Sequence, residues 1–168
     1  MNPNDDRPTT TLLHEVAISK EKAVFWMDGR GRWHNRHGRF EHKRIIDHFN
    51  RSIRRDEDGY YVTQMRGDVL EKVYFPYEDT PLFIVRVSPD IPLRLDLNTG
   101  ETIPLDPAAL FVESDQLYHK SGDARIKFTD RALLAISPYL EERADGLSLC
   151  IGDHAWPIAD CSSSLDAT

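Results

Sequence analysis

The sequence predicts an α+β fold of two similar halves, each an antiparallel β-meander packed on a helix, which together share one compact unit. The first observation behind it is a pattern that recurs after 87 residues. Ile46, Phe49 and Ile53 recur as Leu133, Ile136 and Leu140, and Asp58-Gly59 recurs as Asp145-Gly146. The second observation is a series of short apolar segments separated by turn residues, which is typical of antiparallel strands. A recurrence of this length indicates architecture rather than chemistry.

The first half is expected to begin with a strand at 23–27 and a tight hairpin at 33–40. Its turn is Asn35 to Gly38, residue types that tolerate turn conformations. A helix follows at 42–55, because its apolar residues fall on one stripe. Arg54 and Arg55 are placed in the last helical turn, where positive charge suits the helix dipole. Asp58-Gly59 then turns the chain.

Strands are predicted next at 60–65, 69–75, 82–87, 93–97, 101–105 and 109–112. A second hairpin is expected around Ser121 to Asp123. A second helix begins after Thr129, a good N-cap. Pro138 is expected to kink or break this helix, since an interior proline costs about 3 kcal/mol. The chain is predicted to finish in a hairpin that turns at Gly152-Asp153.

The length of 168 residues suits about one domain. We predict a disordered N-terminus at 1–10, a first α+β repeat at 11–88, a second at 89–159 and a flexible tail at 160–168. A half of about 70 residues rarely stabilises itself with a single core. The two halves are therefore expected to pack together, with the helix stripes lying on the sheets.

Composition indicates a globular protein of the cytoplasm. Cys150 and Cys161 are the two cysteines, too few for a disulfide framework, so a reducing compartment is expected. The polar N-terminal sequence lacks the pattern of a signal peptide. No apolar run approaches the roughly 20 residues of a membrane span, so no membrane association is predicted.

Charge is unevenly distributed. Residues 30–55 carry nine Lys and Arg against two Asp and Glu, although the whole chain has a net charge of −7. Segregated charge suggests a charged partner, or attraction between parts of the protein. Nucleic acid is disfavoured, because the acidic remainder would repel phosphates and Phe49 is already assigned to the core.

Several stretches resemble a known family, in the right order. They are Gly31-Arg32-Trp33, the run from Arg54 to Val62, Glu71-Lys72-Val73, the run from Tyr77 to Phe83, Asn98, Tyr118-His119-Lys120, and the run from Leu147 to Ile158. Together they cover residues 24–159 and resemble the bacterial domain-of-unknown-function family 1285 (DUF1285). The resemblance implies two domains of like topology, each an antiparallel sheet curved around a helix. Leu97, where the family has threonine, and Pro138 depart from its pattern. The family has no established reaction, so the resemblance implies a fold and almost no function.

The most chemically suggestive polar residues surround the predicted turn at Glu78 and Asp79. Lys72 and Arg86 are expected to project near that turn, and a carboxylate pair beside cations could perform acid–base chemistry. The structural alternative, which we favour, is that Asp79 caps backbone amides before Pro81.

Other motifs point to no cofactor and no metal. Histidines 34, 37, 42 and 48 cluster, yet no carboxylate or cysteine is spaced to complete a metal site. Nucleophile elbows, phosphate-binding glycine loops and dinucleotide fingerprints do not occur. No catalytic residue is therefore assigned.

The function expected first is a non-enzymatic regulatory module that binds a small molecule or a protein partner at the seam between the halves. The residues predicted to line that seam are Lys72, Glu78, Asp79, Arg86 and Asn98. One alternative is a hydrolase or lyase with Glu78 or Asp79 as base and Lys72 as electrophile. Another is assembly, for example as a homodimer, through the basic face of the first helix.

Overall fold

The computed structural model describes residues 14–162, so the predicted disorder at 1–10 and most of the predicted tail lie outside the described residues. Two α-helices are present, α1 (Lys43–Ser52) and α2 (Asp130–Ile136). The strands are β1 (His14–Ile18), β2 (Phe25–Met27), β3 (Trp33–Asn35), β4 (Gly38–Arg39), β5 (Arg54–Asp56), β6 (Gly59–Arg66), β7 (Val69–Tyr74), β8 (Phe83–Ser88), β9 (Arg94–Leu97), β10 (Thr102–Pro104), β11 (Leu110–Glu113), β12 (Gln116–Ser121), β13 (Ala124–Phe128), β14 (Leu140–Arg143), β15 (Gly146–Ile151), β16 (His154–Pro157) and β17 (Ala159–Asp160). The predicted α+β class is confirmed.

The strands form four sheets. The orders are β1-β7-β6-β5, β2-β3-β4, β14-β15-β16, and a seven-stranded sheet with the order β10-β9-β8-β13-β12-β11-β17. An isolated bridge between Met27 and Tyr77 ties β2 to the segment after β7. Neither helix among residues 14–162 has the length and apolar character needed to cross a bilayer.

Two apolar clusters form the core. The first is aromatic and contains Phe25, Trp33 and Phe75, and the stripe residues Ile46 and Phe49 of α1 pack against it. The second is largely aliphatic and lies between the seven-stranded sheet, α2 and the β14–β16 sheet; its members include Ile84, Leu95, Phe128, Ile136 and Leu149. Leu82 packs against both clusters, so the two cores are continuous at that residue.

The first helix ends earlier than predicted. α1 stops at Ser52, and Arg54 and Arg55 belong to β5 rather than to a last helical turn. The reason is the two-residue turn at Glu57-Asp58, which pairs Asp56 with Gly59 and so requires an extended strand on its N-terminal side. Ile53 makes the transition in an extended conformation while its side chain stays in the core.

Pairing within the sheets is not purely antiparallel, which corrects the predicted meanders. Strands joined by short turns pair antiparallel, as the turn signals indicate. The parallel pairs β1–β7, β8–β13 and β11–β17 join strands that are far apart in sequence. No hairpin connects those strands, so nothing local imposes the antiparallel direction on them.

The second helix follows its prediction closely. Thr129 caps α2 by accepting a hydrogen bond from the Ala132 amide, and the helix ends at Ile136. A short 3-10 helix at Ser137–Tyr139 contains Pro138, and β14 starts immediately afterwards. The predicted break at Pro138 is confirmed.

The same order of elements occurs twice along the chain: two hairpin strands, a helix and three further strands, in β3 to β7 and in β12 to β16. Asp56 pairs with Gly59 in one hairpin and Arg143 with Gly146 in the other, 87 residues later. The division into repeats at residue 88 stays a prediction; β8, which ends there, lies in the seven-stranded sheet.

Candidate functional site

The candidate site begins with the loop from Asp28 to Arg32, which joins β2 to β3. The buried Asp28 carboxylate accepts hydrogen bonds from the amides of Arg30 (2.9 Å) and Arg32 (3.0 Å). It also contacts Arg32 Nε and His34 Nε2, each at 2.8 Å. Burial raises the pKa of Asp28, but these contacts outweigh burial and hold the pKa well below its ordinary value. The ionised carboxylate therefore fixes the shape of the loop.

Gly29, at the tip of this loop, joins the two parts of the molecule. Its amide donates to Glu78 Oε2 (2.8 Å), and its carbonyl oxygen accepts from Lys127 Nζ (2.8 Å), 98 residues away in sequence. A Cβ atom on Gly29 would lie 3.2 Å from Glu78 Oε2, closer than most side chains tolerate. The backbone of the 28–32 loop thus contacts a side chain of β13.

Next to this contact, Asp79 lies among two cations and a tyrosine of β12 and β13. Its carboxylate accepts from the Tyr118 hydroxyl (2.6 Å), contacts Lys127 Nζ (3.1 Å) and pairs with Arg125. Arg125 also pairs with Glu113 and lies over the Tyr118 ring. The Asp79 side chain is 15% exposed, so these partners replace most of its water.

The electrostatics of this cluster keep Asp79 ionised. Burial of the carboxyl raises its pKa, but the hydrogen bonds from Tyr118 and Lys127 and the charge of Arg125 outweigh burial, so the pKa lies below its ordinary value. Burial and the neighbouring carboxylate raise the pKa of Tyr118 well above its ordinary value. Asp79 is therefore a weak base, occupied with three donors.

A cleft of about 430 Å³ opens beside the Gly29–Lys127 contact. Its walls come from the 28–32 loop on one side and from β13 and the start of α2 on the other. The lining residues are Gly29, Arg30, Phe83, Gln116, Lys127, Phe128, Thr129, Asp130 and Arg131. Among residues 14–162, no carboxylate forms an ion pair with Arg30 or Arg131, whereas Lys127 is held by Asp79. Within the described residues, the cleft thus combines two guanidinium groups that have no ion-pair partner with one acidic residue, Asp130, and two core phenylalanines.

Of the five residues predicted to line the seam, Lys72, Arg86 and Asn98 lie in three other environments. Lys72, in the β1-β7-β6-β5 sheet, donates to Asp56 (2.6 Å). Arg86 pairs with Asp96 on the surface (2.9 Å). Asn98 accepts from the Phe83 amide and donates to the Pro81 carbonyl, so it braces the chain before β8.

Glu78 and Asp79 adjoin the cleft through Gly29 and Lys127, respectively. The favoured structural explanation for Asp79 is wrong, because its carboxylate binds side chains rather than local amides. The local amide is bound by Thr80 instead, whose hydroxyl accepts a hydrogen bond from the Leu82 amide (3.2 Å) and donates one to the Arg125 carbonyl (2.8 Å).

The histidine cluster serves other contacts. His34 binds Asp28 and stacks on Trp26, and His37 accepts from Arg36 Nε (3.1 Å). Within residues 14–162, no group of three His, Cys, Asp or Glu side chains is placed to hold a metal ion.

The residues that line the cleft from both sides were missed at the sequence level. Arg30 was counted only as part of a basic stretch, and Lys127 and Arg131 were not singled out. The available signal was the run Asp28-Gly29-Arg30-Gly31-Arg32, since an acidic residue before two glycines is typical of a tight, self-bonded loop. Nothing local indicated that this loop meets β13.

Comparison with known proteins gives structural matches alone. No family model and no functionally curated protein matches the chain. A DUF1285 family protein from Silicibacter pomeroyi DSS-3 is similar in structure, with a TM-score of 0.59 and 14% identity over 93% of this chain and 90% of that one. A DUF1285 family protein from Shewanella baltica OS155 has a TM-score of 0.50 and 16% identity over 71% of this chain and 94% of that one. Identities this low show a shared fold, and the fold of this chain is that of the DUF1285 family proteins, the family that its sequence motifs resemble.

Proposed function

We propose that this protein is a non-enzymatic regulatory module of the DUF1285 type that binds a small anionic ligand in the cleft between the 28–32 loop and α2. The observation that carries the proposal is that Arg30 and Arg131 line one cleft and that neither forms an ion pair with a carboxylate of residues 14–162. Guanidinium groups bind carboxylates and phosphates through two parallel hydrogen bonds, and such bonds are stronger than neutral ones.

The rest of the lining sets the size and charge of a fitting ligand. Phe83 and Phe128 are core residues, each 2% exposed, so their side chains contribute little open surface to the cleft. Asp130 adds one acidic residue to the lining. The cleft volume of about 430 Å³ falls within the range of small-molecule sites. A small anion that both guanidinium groups can contact therefore fits the cleft.

Binding is testable by NMR titration of the full chain with inorganic phosphate, succinate and benzoate. We expect at least one of these anions to shift the amide signals of Lys127 and Phe128 saturably. The double variant Arg30→Ala/Arg131→Ala should weaken that binding at least about tenfold, the equivalent of losing about 1.4 kcal/mol.

The matched control is Arg94→Ala, an exposed arginine on β9 that does not line the cleft. Its affinity should equal that of the unsubstituted protein. The proposal fails if none of the three anions shifts the cleft signals, or if Arg94→Ala weakens binding as much as the double variant.

The alternative of a hydrolase or lyase has less support. Lys72, its electrophile, hydrogen-bonds Asp56, which raises the pKa of Lys72 above its ordinary value and keeps the amine protonated. Asp79, one of its two candidate bases, has a lowered pKa. An acid–base mechanism needs groups that converge with pKa values matched to the reaction.

Assembly through the basic face of α1 is the third proposal, and the exposed cations of that helix favour it. It predicts a homodimer held by charge. Its test is the molecular mass in solution at low and at high salt, since screening weakens contacts between exposed charges. A mass that does not change with salt would contradict it.

A further inference from the structure

A groove runs between the β3–β4 hairpin and α1, on a different surface from the cleft proposed above. Its volume is about 370 Å³, and it is lined by Asn35, His37, Gly38, Arg39, Phe40, Glu41, His42, Ile45 and Phe49. A second depression of about 410 Å³ shares Arg39, Phe40 and Glu41 with it and continues towards Trp33 and Ile46. The two depressions form one extended surface, here called the α1 groove.

The floor of the α1 groove is apolar and anchored to the core. The rings of Phe40 and Phe49 pack edge to face, with their centroids 5.1 Å apart. Phe49 in turn contacts Phe25 and Trp33 of the first cluster. Ile45, on the adjoining face of α1, is 47% exposed although it is a large aliphatic residue. The floor thus offers apolar area on a rigid support, as hot spots of protein interfaces do.

The surroundings of the groove are basic. Arg39 lines both depressions, and among residues 14–162 it forms no ion pair with a carboxylate. Glu41 is the single acidic residue of the lining. The 30–55 segment, which contains most of the groove lining, carries nine Lys and Arg against two Asp and Glu. A positive field around an apolar floor complements an acidic chain that carries an apolar side chain.

We infer that the α1 groove docks a short acidic segment of a partner protein, with one large apolar side chain of that segment seated between Phe40, Ile45 and Phe49. Carboxylates on either side of that side chain would face Arg39 and the positive field of the basic 30–55 segment. The inference is independent of the anion-binding cleft.

Two other occupants fit less well. A second copy of the chain would need about 20–30 residues on each side of a stable interface, far more than the nine that line the main depression. The basic surroundings of the groove would attract a nucleic acid, but the net charge of the chain, −7, would repel it. The apolar floor of the α1 groove has no groups that bind phosphates.

The test uses two displayed libraries of 12-residue peptides, each with five acidic positions. One library carries Leu, Ile, Phe or Trp at the centre and the other carries glycine there. We expect the full chain to enrich binders from the apolar library alone. The best binder, measured by fluorescence anisotropy, should bind at least about tenfold more weakly to Ile45→Ser and to Arg39→Glu.

Leu134→Ser is the matched control, because Leu134 is 76% exposed on α2 and lies outside the groove. It should bind the peptide as the unsubstituted protein does, and circular dichroism should show all three variants folded. The inference is overturned if the glycine library yields equal binders or if neither library does. It is also overturned if labelled dT12 binds instead and Arg39→Glu abolishes that binding, or if the protein dimerises at low salt and Ile45→Ser abolishes the dimer.

Discussion

At the scale of single residues, polar contacts are concentrated where the 28–32 loop and the Glu78-Asp79 turn meet β12 and β13. Asp28 shapes the 28–32 loop, Gly29 contacts both Glu78 and Lys127, and Asp79 binds Tyr118, Arg125 and Lys127. The sequence drew attention to Glu78 and Asp79 as a polar pair. It could not supply their partners, because those lie on β12, β13 and the 28–32 loop, which are distant along the chain.

Asp79→Asn tests the charge cluster. The substitution keeps the shape of the side chain but removes the carboxylate charge that faces Arg125 and Lys127, of which Arg125 keeps Glu113 as a partner. We expect a loss in the free energy of unfolding on the order of 2–3 kcal/mol, measured by urea denaturation. Asp123→Asn is the control, because Asp123 is 82% exposed in its pair with Arg55, and it should cost much less. Equal losses for the two variants would contradict a special role for Asp79.

The same carboxylate predicts a pH dependence. Because the pKa of Asp79 is lowered in the folded state, its contribution is fully present above the unfolded value of about 3.9 and disappears as pH falls through the folded value. The stability difference between the unsubstituted protein and Asp79→Asn should therefore be constant from pH 8 to 5 and shrink below about pH 4. A difference that stays constant down to pH 2 would show that the charge of Asp79 contributes nothing.

Gly31 tests the close approach of the 28–32 loop to β8. Its φ is +77°, and an added Cβ would lie 2.9 Å from the Phe83 ring. Gly122 has φ +59° with nothing within 4 Å of its Cβ position, so it serves as control. The left-handed backbone should lower the free energy of unfolding of each Gly→Ala variant by about 1 kcal/mol. The clash with Phe83 should lower that of Gly31→Ala by roughly a further 1–3 kcal/mol. Equal thermal shifts would show that the loop moves away freely.

At the scale of elements, the helices show what periodicity and capping can and cannot specify. α2 begins and breaks as Thr129 and Pro138 predict. α1 ends before Arg54, because the hairpin at Asp56 to Gly59 takes the preceding residues into a strand. An apolar stripe predicts which face of a helix is buried. It does not predict the residue at which the helix ends when a following turn requires some of the same residues to be extended.

Thr129→Ala tests the capping of α2. The Thr129 hydroxyl accepts from the Ala132 amide and donates to the Ile84 carbonyl, so it holds the helix start against β8. We expect a loss of about 1–2 kcal/mol in the free energy of unfolding. Thr129→Ser keeps the hydroxyl and should recover most of that stability. If serine and alanine are equally destabilising, the methyl group rather than the cap matters.

At the scale of the whole molecule, the two apolar clusters meet at Leu82, and the Gly29–Lys127 and Arg55–Asp123 contacts join residues 98 and 68 positions apart in sequence. We expect such long-range contacts to make the regions around the two clusters unfold together.

This coupling predicts a single unfolding transition. In a Trp26→Phe/Trp156→Phe variant, Trp33 remains as a fluorescent probe of the first cluster, while far-ultraviolet circular dichroism reports both halves. The two urea curves should coincide, as in two-state unfolding. A fluorescence midpoint clearly separated from that of circular dichroism would mean that the halves unfold independently.

The sequence by itself determined the α+β class, the short-range hairpins, the two helices and the break at Pro138. These depend on turn residues, capping and apolar periodicity, all of which act within a few residues. Tertiary structure alone decided the parallel pairs β1–β7, β8–β13 and β11–β17, the partners of Asp79, and the cleft between Arg30 and Arg131. Each of these features depends on which distant segments pack together. Local periodicity cannot predict them, because it indicates that a residue is buried but not which residue it contacts.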